Sequence, residues 1–422
     1  MSSSLPFTRS GTGWQQRAGL PRRGTVESPV ARMAAQTIYH AVILGGLLLI
    51  LANVLANLAV FDALRPSAPP ANPPLVSILV PARNEERSIE ACVGSLLRQD
   101  YPNCEWIVLD DHSEDQTGAI LARLIAADSG DRARVIRGAT LPEGWTGKNW
   151  ACHQLALAAR GEFLFFTDAD TEHEPGTVTA AVDYALRNRA GLVSAWPRLV
   201  TGTLGEKLIV PVILLVGFAF CPLWLQRWIQ ERPVRSKGRD VRGLGVANGQ
   251  FMFFTRRTYD RIGGHAGVRS HVVEDVSLGR AVAERIPDGE RLFNCEAIAF
   301  SRVRMYRSFG ETWDGFTKNI RAVFDDQRLG FWLFGVVEAA CFLGPFVALL
   351  GTSGAARWLV LAQVAIIFLI RIVLAARFRT SWTGALLHPL GILLVLLIGL
   401  NSWRRSTGSG VVWKGRTYKP QI

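Results

Sequence analysis

The sequence predicts an α/β domain with a mostly parallel sheet, set between N-terminal and C-terminal transmembrane helices. Three observations predict it. Uncharged apolar stretches long enough to cross a bilayer lie near both ends of the 422 residues. Between them, short apolar runs alternate with runs of helical periodicity over residues 75–328. Polar and acidic clusters follow directly after three of the apolar runs, where ligands bind in such sheets. Charged residues make up only 19%, which excludes a wholly disordered chain and argues against a purely soluble one. The net charge of +12 lies beside apolar runs and is not interleaved with aromatics along a groove. That favours anionic headgroups or phosphorylated substrates and excludes nucleic acid as a partner.

Residues 1–36, rich in Ser, Gly and Arg without periodicity, are expected to be disordered. Residues 37–64 form the anchor. Its stretch Ala41–Phe61 carries no charge, is interrupted only by Asn53 and Asn57, and reaches about 30 Å. That is longer than the apolar part of a signal peptide, and Asp62-Ala63-Leu64-Arg65 is a poor cleavage context. Residues 65–74 form a stiff Pro-rich linker. The domain then opens with a buried strand at Leu75–Val80, a helix at Arg87–Leu97 and a second strand at Glu105–Leu109. Ile120, Leu121, Leu124 and Ile125 mark the next helix, followed by a strand at Arg134–Arg137, a helix at Asn149–Ala159 and a strand at Phe163–Thr167.

Within residues 206–230, the run Leu208–Leu225 holds Pro211 and Pro222 and leads into Arg227, Arg232, Arg235, Lys237, Arg239 and Arg242. A single span there would split the domain across the membrane, so an in-plane or re-entrant element is expected. Three further spans are expected within residues 329–403, at Phe331–Leu350, Trp358–Ala376 and Trp382–Leu400, before a basic tail, 404–422. Of the ionisable residues inside them, Glu338 and His388 should face a bundle or interface, and Arg371 should snorkel. Five arginines in the first 40 residues would hold the N-terminus in the cytoplasm by charge bias. The domain is expected there too, and one anchor cannot satisfy both; His388-Pro389 is a candidate break in one of the runs.

The polar clusters carry the chemistry. After the first strand comes Pro81-Ala82-Arg83-Asn84-Glu85-Glu86, a turn whose amides and carboxylate suit a ribose or base edge. After the second comes Asp110-Asp111-His112-Ser113-Glu114-Asp115, and after the fourth Asp168-Ala169-Asp170. Residues two apart on an extended segment point to one side, so Asp168 and Asp170 could share one hard cation, Mg²⁺ or Mn²⁺, able to neutralise a diphosphate leaving group. A lone Asp-x-Asp is commonly a solvated turn and Asp110-Asp111 alone could be a helix cap; three such clusters after three strands are harder to dismiss. No G-x-G-x-x-G follows the first strand and no P-loop is present, which excludes the dinucleotide-binding and P-loop readings. The six cysteines form no CxxC and no cluster, so neither a disulfide framework nor a structural zinc site is expected, and they should pack as small hydrophobes. His153 and His271 are read as structural.

Val76–Glu85, Val108–Ser113 and Thr167–Asp170, with Asn248-Gly249-Gln250-Phe251 and Val273-Glu274-Asp275-Val276, resemble the family 2 glycosyltransferases of GT-A fold. Pro142–Ala151, which reads PEGWTGKNWA, and the tail Trp413–Tyr418 are similar to the membrane-bound bacterial subgroup that glycosylates carotenoids, with hopanoid-associated and ceramide glucosyltransferase-like relatives. The resemblance implies a GT-A nucleotide-sugar-binding domain in which Pro81, Asn84, Glu85, Asp110 and Asp111 hold the nucleoside, one of the two adjacent Asp meeting the base. Lys148 would contact the nucleotide, Asp168 the nucleotide and metal, and Asp170 the metal. Asp275 would be the general base, with Glu274 its competitor, in a direct displacement with inversion. Asn248, Gly249 and Gln250 would line the acceptor site. The Q/R-x-x-R-W signature of processive synthases is missing, which leaves Arg307, Trp313 and Lys318 as candidates for the acceptor and diphosphate. The implied reaction moves one hexose from a UDP- or GDP-hexose to a hydroxyl of a membrane lipid, a carotenoid or hopanoid, at the cytoplasmic face of the cytoplasmic membrane. The alternatives are transfer to polyprenyl phosphate or in exopolysaccharide assembly, and a nucleotide-binding membrane scaffold.

Overall fold

The computed structural model describes residues 29–127, 132–232, 238, 240–325, 327–407 and 411–418. Twelve strands are formed among them: β1 Val76–Ala82, β2 Cys104–Asp110, β3 Ala133–Arg137, β4 Phe163–Phe166, β5 Thr171–His173, β6 Leu192–Trp196, β7 Arg198–Leu199, β8 Met252–Thr255, β9 Leu292–Glu296, β10 Ser301–Val303, β11 Val411–Trp413 and β12 Arg416–Tyr418. The main sheet runs β3-β2-β1-β4-β8-β6-β9. β1 pairs in parallel with β2 and β4, β6 with β9, and β8 runs antiparallel between β4 and β6. Every residue of β1 except Pro81 is buried, as a strand covered on both faces must be. On one face Ile78 and Val80 pack with Val93 and Leu96 of the helix Ile89–Leu97 and with Val178. On the other, Leu79 and Leu109 pack with Leu155 and Leu278.

Glu105 pins the first three strands. Its carboxylate accepts from Ser77 Oγ at 2.6 Å, from the Arg160 amide at 2.7 Å and from Arg134 at 2.9 Å. Burial would raise its pKa, but these donors outweigh burial and hold it below the ordinary carboxylate value. A smaller sheet, β5-β10-β7, lies beside the site, and β11 and β12 form an antiparallel hairpin.

The anchor is one helix, Pro29–Val60. Residues 29–36, expected to be disordered, belong to it, because Ala31, Ala34 and Ala35 extend the helical run; residues 1–28 lie outside the described part. Beyond Val60 the chain joins the sheet edge: the Leu64 amide donates to Glu296 O and the Glu296 amide to Asp62 O, each at 2.8 Å. Among the described residues, three helices are long and apolar enough to cross a membrane, Met33–Val60, Arg328–Ala348 and Gly354–Phe378. The stretch expected as a span at Trp382–Leu400 is instead two helices, Trp382–Leu386 and His388–Ser406, broken where Pro389 removes an amide. Gly384 and Gly391 lie against the backbone of the helix Leu204–Ile209; a Cβ on Gly391 would meet Leu208 O at 2.6 Å.

The run Leu208–Leu225 forms short helices, Val212–Phe220 and Leu223–Gln230, and the chain bends by 49° between Leu204–Phe220 and the second of them. The two asparagines of the anchor satisfy the break. Asn57 Nδ2 donates to Phe218 O at 2.9 Å and Cys221 O at 2.7 Å, and Asn57 Oδ1 accepts from the Trp224 amide at 3.1 Å. Asn53 donates to Phe218 O and accepts from Trp224 Nε1 at 2.8 Å. Of its expected basic flank, Arg235, Lys237 and Arg239 lie outside the described residues. Arg371 does not snorkel: it is buried, and donates to Pro211 O at 3.2 Å and Gly384 O at 3.1 Å, two carbonyls close to helix breaks.

Candidate active site

The parallel strands end on one side of the sheet, and a cavity of about 1530 Å³ opens there. Its polar end is lined by Pro81, Asn84, Glu85, Asp111, Lys148, Asp168, Asp170, Glu274 and Asp275. Its apolar end reaches Val216, Phe220, Phe334, Val395 and Leu396 between the membrane-associated helices. Glu338 lies at that end, buried, one of its carboxylate oxygens unpartnered among the described residues.

At the end of β1, Asn84 adopts a left-handed φ of 52°. Its amide donates to Ser113 Oγ at 3.0 Å and its Oδ1 accepts from the Glu114 amide at 2.9 Å, so the turns after β1 and β2 hold each other. Arg83 adds to this by donating to Asp111 O at 2.6 Å and His112 O at 3.1 Å. The structure separates the two adjacent aspartates. Asp110 Oδ1 accepts from the Ser113 amide at 2.9 Å and fixes its own turn, and Asp110 does not line the cavity. Asp111 does, with its buried carboxylate facing inward.

The motif after β3 builds the cationic centre. Thr146 caps the helix Gly147–Ala158, its Oγ1 accepting from the Asn149 amide. Asn149 Nδ2 donates to Val268 O at 2.7 Å and His271 O at 3.0 Å, tying the helix start to the segment before Glu274. Lys148 Nζ thereby sits between two carboxylates, 2.6 Å from Asp168 and 2.7 Å from Glu274. Burial alone would lower its pKa, but Asp168 and Glu274 outweigh burial and raise it. His153 stacks with Trp150 at 5.7 Å, ring centre to ring centre, as a structural residue would.

Asp168-Ala169-Asp170 is a turn, not the extended segment that the residue spacing predicts: the Thr171 amide donates back to Asp168 O at 3.1 Å. The chain must reverse there from β4 into β5. The turn rests on a buried network in which Thr167 Oγ1 donates to Gln250 O at 2.9 Å and lies 2.8 Å from His173 Nε2. Burial pushes His173 down to about 3, so it is neutral. Burial first, then Asp168 and Glu85, push Asp170 up to about 7. A half-buried carboxylate crowded by two others is the environment that a divalent cation relieves, and the all-oxygen donors suit Mg²⁺ or Mn²⁺. No cluster of three metal-ligating side chains exists among the described residues, so the remaining ligands would come from substrate or water.

Asp275 is held by two backbone donors, Gly249 N–H to Oδ2 and Val276 N–H to Oδ1, each at 2.8 Å. Burial, then Glu274, push it up to about 6. A Cβ at Gly249 would come within 3.2 Å of Asp275 Oδ2 and 3.3 Å of Lys148 Nζ, so either side chain would have to shift by a few tenths of an ångström. Asn248 Oδ1 accepts from the Gln250 amide at 3.0 Å, shaping the same turn. Lys318 also lines the cavity, and burial lowers its pKa to about 8. Arg307 is at the rim, donating to Arg87 O at 3.2 Å, whereas Trp313 packs beside Phe309 and does not line the cavity. Three residues of the site went unrecognised in the sequence. Arg83 lies in the turn singled out after the first strand but nothing there marks its bonds to the next loop, His173 carries no distinguishing neighbour pattern, and Arg416 is 305 residues from Asp111, the carboxylate it meets.

Fold and site together define an α/β enzyme of GT-A type, with carboxylates, Lys148 between two of them and an oxygen-lined turn at the carboxyl ends of its strands. Residues 77–260 match the family described as Glycosyl transferase family 2, and the chain is a glycosyltransferase carrying that domain. It is 27% identical over 358 residues to the 4,4'-diaponeurosporenoate glycosyltransferase of Staphylococcus aureus strain USA300, covering 81% of this chain and 88% of that relative. The protein of the same name from strain MRSA252 is likewise 27% identical, over 361 residues. Among solved structures, a mannosyltransferase from Pyrobaculum calidifontis in complex with GDP-Man and Mn²⁺ has the same fold, with a TM-score of 0.51 and 18% identity over 89% of this chain and 99% of that one.

Proposed function

We propose that the protein transfers a single hexose from a nucleotide-sugar to a hydroxyl of a membrane lipid of carotenoid or hopanoid type, with inversion, at the cytoplasmic face of the membrane. The observation that carries this is the continuity of the cavity. One end is lined by carboxylates and Lys148, and the other runs between apolar side chains of the membrane helices. A nucleotide-sugar fits the first and an isoprenoid chain the second, with the acceptor hydroxyl at Asp275 between them. The carotenoid named for the Staphylococcus aureus relative, a carboxylate, supports the lipid class of the acceptor and not its hydroxyl.

In this reading Asp111 and the Asn84 turn hold the nucleoside. Asp168 and Asp170 would hold a divalent ion, whose chemistry there would be to neutralise charge on the departing diphosphate. Asp275 takes the proton of the acceptor hydroxyl as its oxygen attacks the anomeric carbon. Its two backbone donors fix the carboxylate while leaving lone pairs for that hydroxyl. Glu274 pairs with Lys148, which suits it to orienting the lysine and supports Asp275 as the base.

The test is to incubate purified protein in a bacterial lipid extract with UDP- and GDP-hexoses, with Mn²⁺ or with EDTA, and to follow nucleotide release and lipid-phase sugar. Metal-dependent release of nucleoside diphosphate with one hexose in a neutral isoprenoid lipid is expected. Sugar entering polyprenyl phosphate would replace the acceptor class. Nucleotide binding with no transfer to any lipid would leave a binding scaffold.

A further inference from the structure

The acidic end of the cavity is faced by two cations from the far end of the chain. β11 and β12 are closed by Lys414 and Gly415, whose φ values of 46° and 77° make the tight two-residue turn favoured in hairpins. The turn is docked through its backbone, since Arg83 Nε donates to Lys414 O at 3.1 Å, and Arg83 also holds the loop after β2. Lys414 Nζ pairs with Glu85, and Arg416 makes a two-pronged contact with Asp111, one prong at 3.0 Å. Lys414, Arg416, Glu85 and Asp111 all line the cavity, and the cations' side chains are only 25% and 20% exposed.

Charge explains why cations are needed there. Glu85, Asp111, Asp168 and Asp170 face the space that a nucleoside diphosphate, itself anionic, would enter. Lys148 is already committed to Asp168 and Glu274, and a divalent ion on Asp168 and Asp170 leaves the other two carboxylates unbalanced. We propose that the Lys414-Gly415-Arg416 turn is part of the donor site, its two cations passing from Glu85 and Asp111 to the diphosphate when the nucleotide-sugar binds and the base takes Asp111. The hairpin then closes the pocket with the donor inside. This rests on the nucleotide-sugar reading above. It explains how a chain without the Q/R-x-x-R-W arginine would meet a diphosphate.

The experiment is calorimetric binding of UDP, GDP and the parent nucleosides to the full-length protein in nanodiscs with Mn²⁺, for the unaltered chain, Lys414→Gln, Arg416→Gln and the double variant. Expected is a loss of about tenfold in diphosphate affinity for each single variant, with nucleoside affinity unchanged or increased. Arg416→Lys, which keeps the charge and loses the fork, should fall between. Diphosphate binding by the double variant as tight as, or tighter than, that of the unaltered chain would overturn the proposal and make the hairpin a plug that competes with donor. An equal loss for nucleoside and diphosphate would overturn it too, as a packing role. If the unaltered chain bound no nucleotide, the nucleotide-sugar reading itself would fall, a distinguishable failure.

Discussion

Asp275 shows how much of the proposed chemistry rests on single contacts. Two backbone amides hold its oxygens, Glu274 lies next to it in sequence, and burial raises its pKa to about 6. A base works only when deprotonated, so the rate should rise with pH through about 6 and level off above it; a kcat/KM profile in lipid nanodiscs checks this. A profile flat down to pH 5 would point to another base. Gly249→Ala tests the geometry, because its methyl would crowd both Asp275 and Lys148. Turnover should fall about tenfold or more with an unchanged unfolding midpoint, since the displacement is small and local. At this scale the sequence was uneven. Lys148 stood out for the Gly and Trp around it, Asp168 as half of an Asp-x-Asp after a strand, and Asp275 only through the family resemblance of its segment. Which of Asp110 and Asp111 faces the cavity was not legible, as both are adjacent carboxylates and only the Asp110–Ser113 turn separates them.

At the scale of elements, Asn53 and Asn57 look like flaws in an apolar anchor and turn out to complete the break between Val212–Phe220 and Leu223–Gln230. Asn57→Leu should lower stability by about 1–3 kcal/mol by leaving Phe218 O, Cys221 O and the Trp224 amide with fewer partners. Thermal unfolding in detergent would read it, and an unchanged midpoint would mean that lipid or water replaces those bonds. β1 and β4 were legible as nearly continuous apolar runs and β2 and β3 as short apolar centres beside charged residues; the spacing of their helices gave a parallel order. β5, β7 and β10, two or three residues each, carry no local pattern; they pair with partners more than 100 residues away. β8 was missed for a related reason: it enters between β4 and β6 without a crossover helix of its own, and nothing near it in sequence records its antiparallel direction.

Across the whole molecule, the chain enters the domain at Val60, leaves along Arg328–Ala348 and returns along Gly354–Phe378, where Arg377 meets Glu296 of β9. At the far end, Gln36 and Tyr39 lie with Val347 and Gly351. Were all three of these helices to cross, the N-terminal end would lie opposite the domain and the basic tail beside it, consistent with the Lys414–Glu85 pair. Charge bias in the first 40 residues argues for a cytoplasmic N-terminus, and with three crossings that end and the basic tail would lie on opposite faces. Single cysteines at Met33 and Thr407, in a chain whose native cysteines are changed to Ala, should therefore label from opposite faces of sealed vesicles; labelling from one face would contradict the three-span arrangement.

The central claim is that the acidic end of the cavity binds a nucleotide-sugar while Asp275 activates a lipid hydroxyl, and Asp275→Asn separates the two. The direct measurement is single-turnover transfer of radiolabelled hexose into the lipid phase, alongside donor binding, for the unaltered protein and this variant. The account predicts donor affinity within about threefold of the unaltered chain and transfer slowed by at least about a hundredfold. Transfer by Asp275→Asn at the unaltered rate would contradict it.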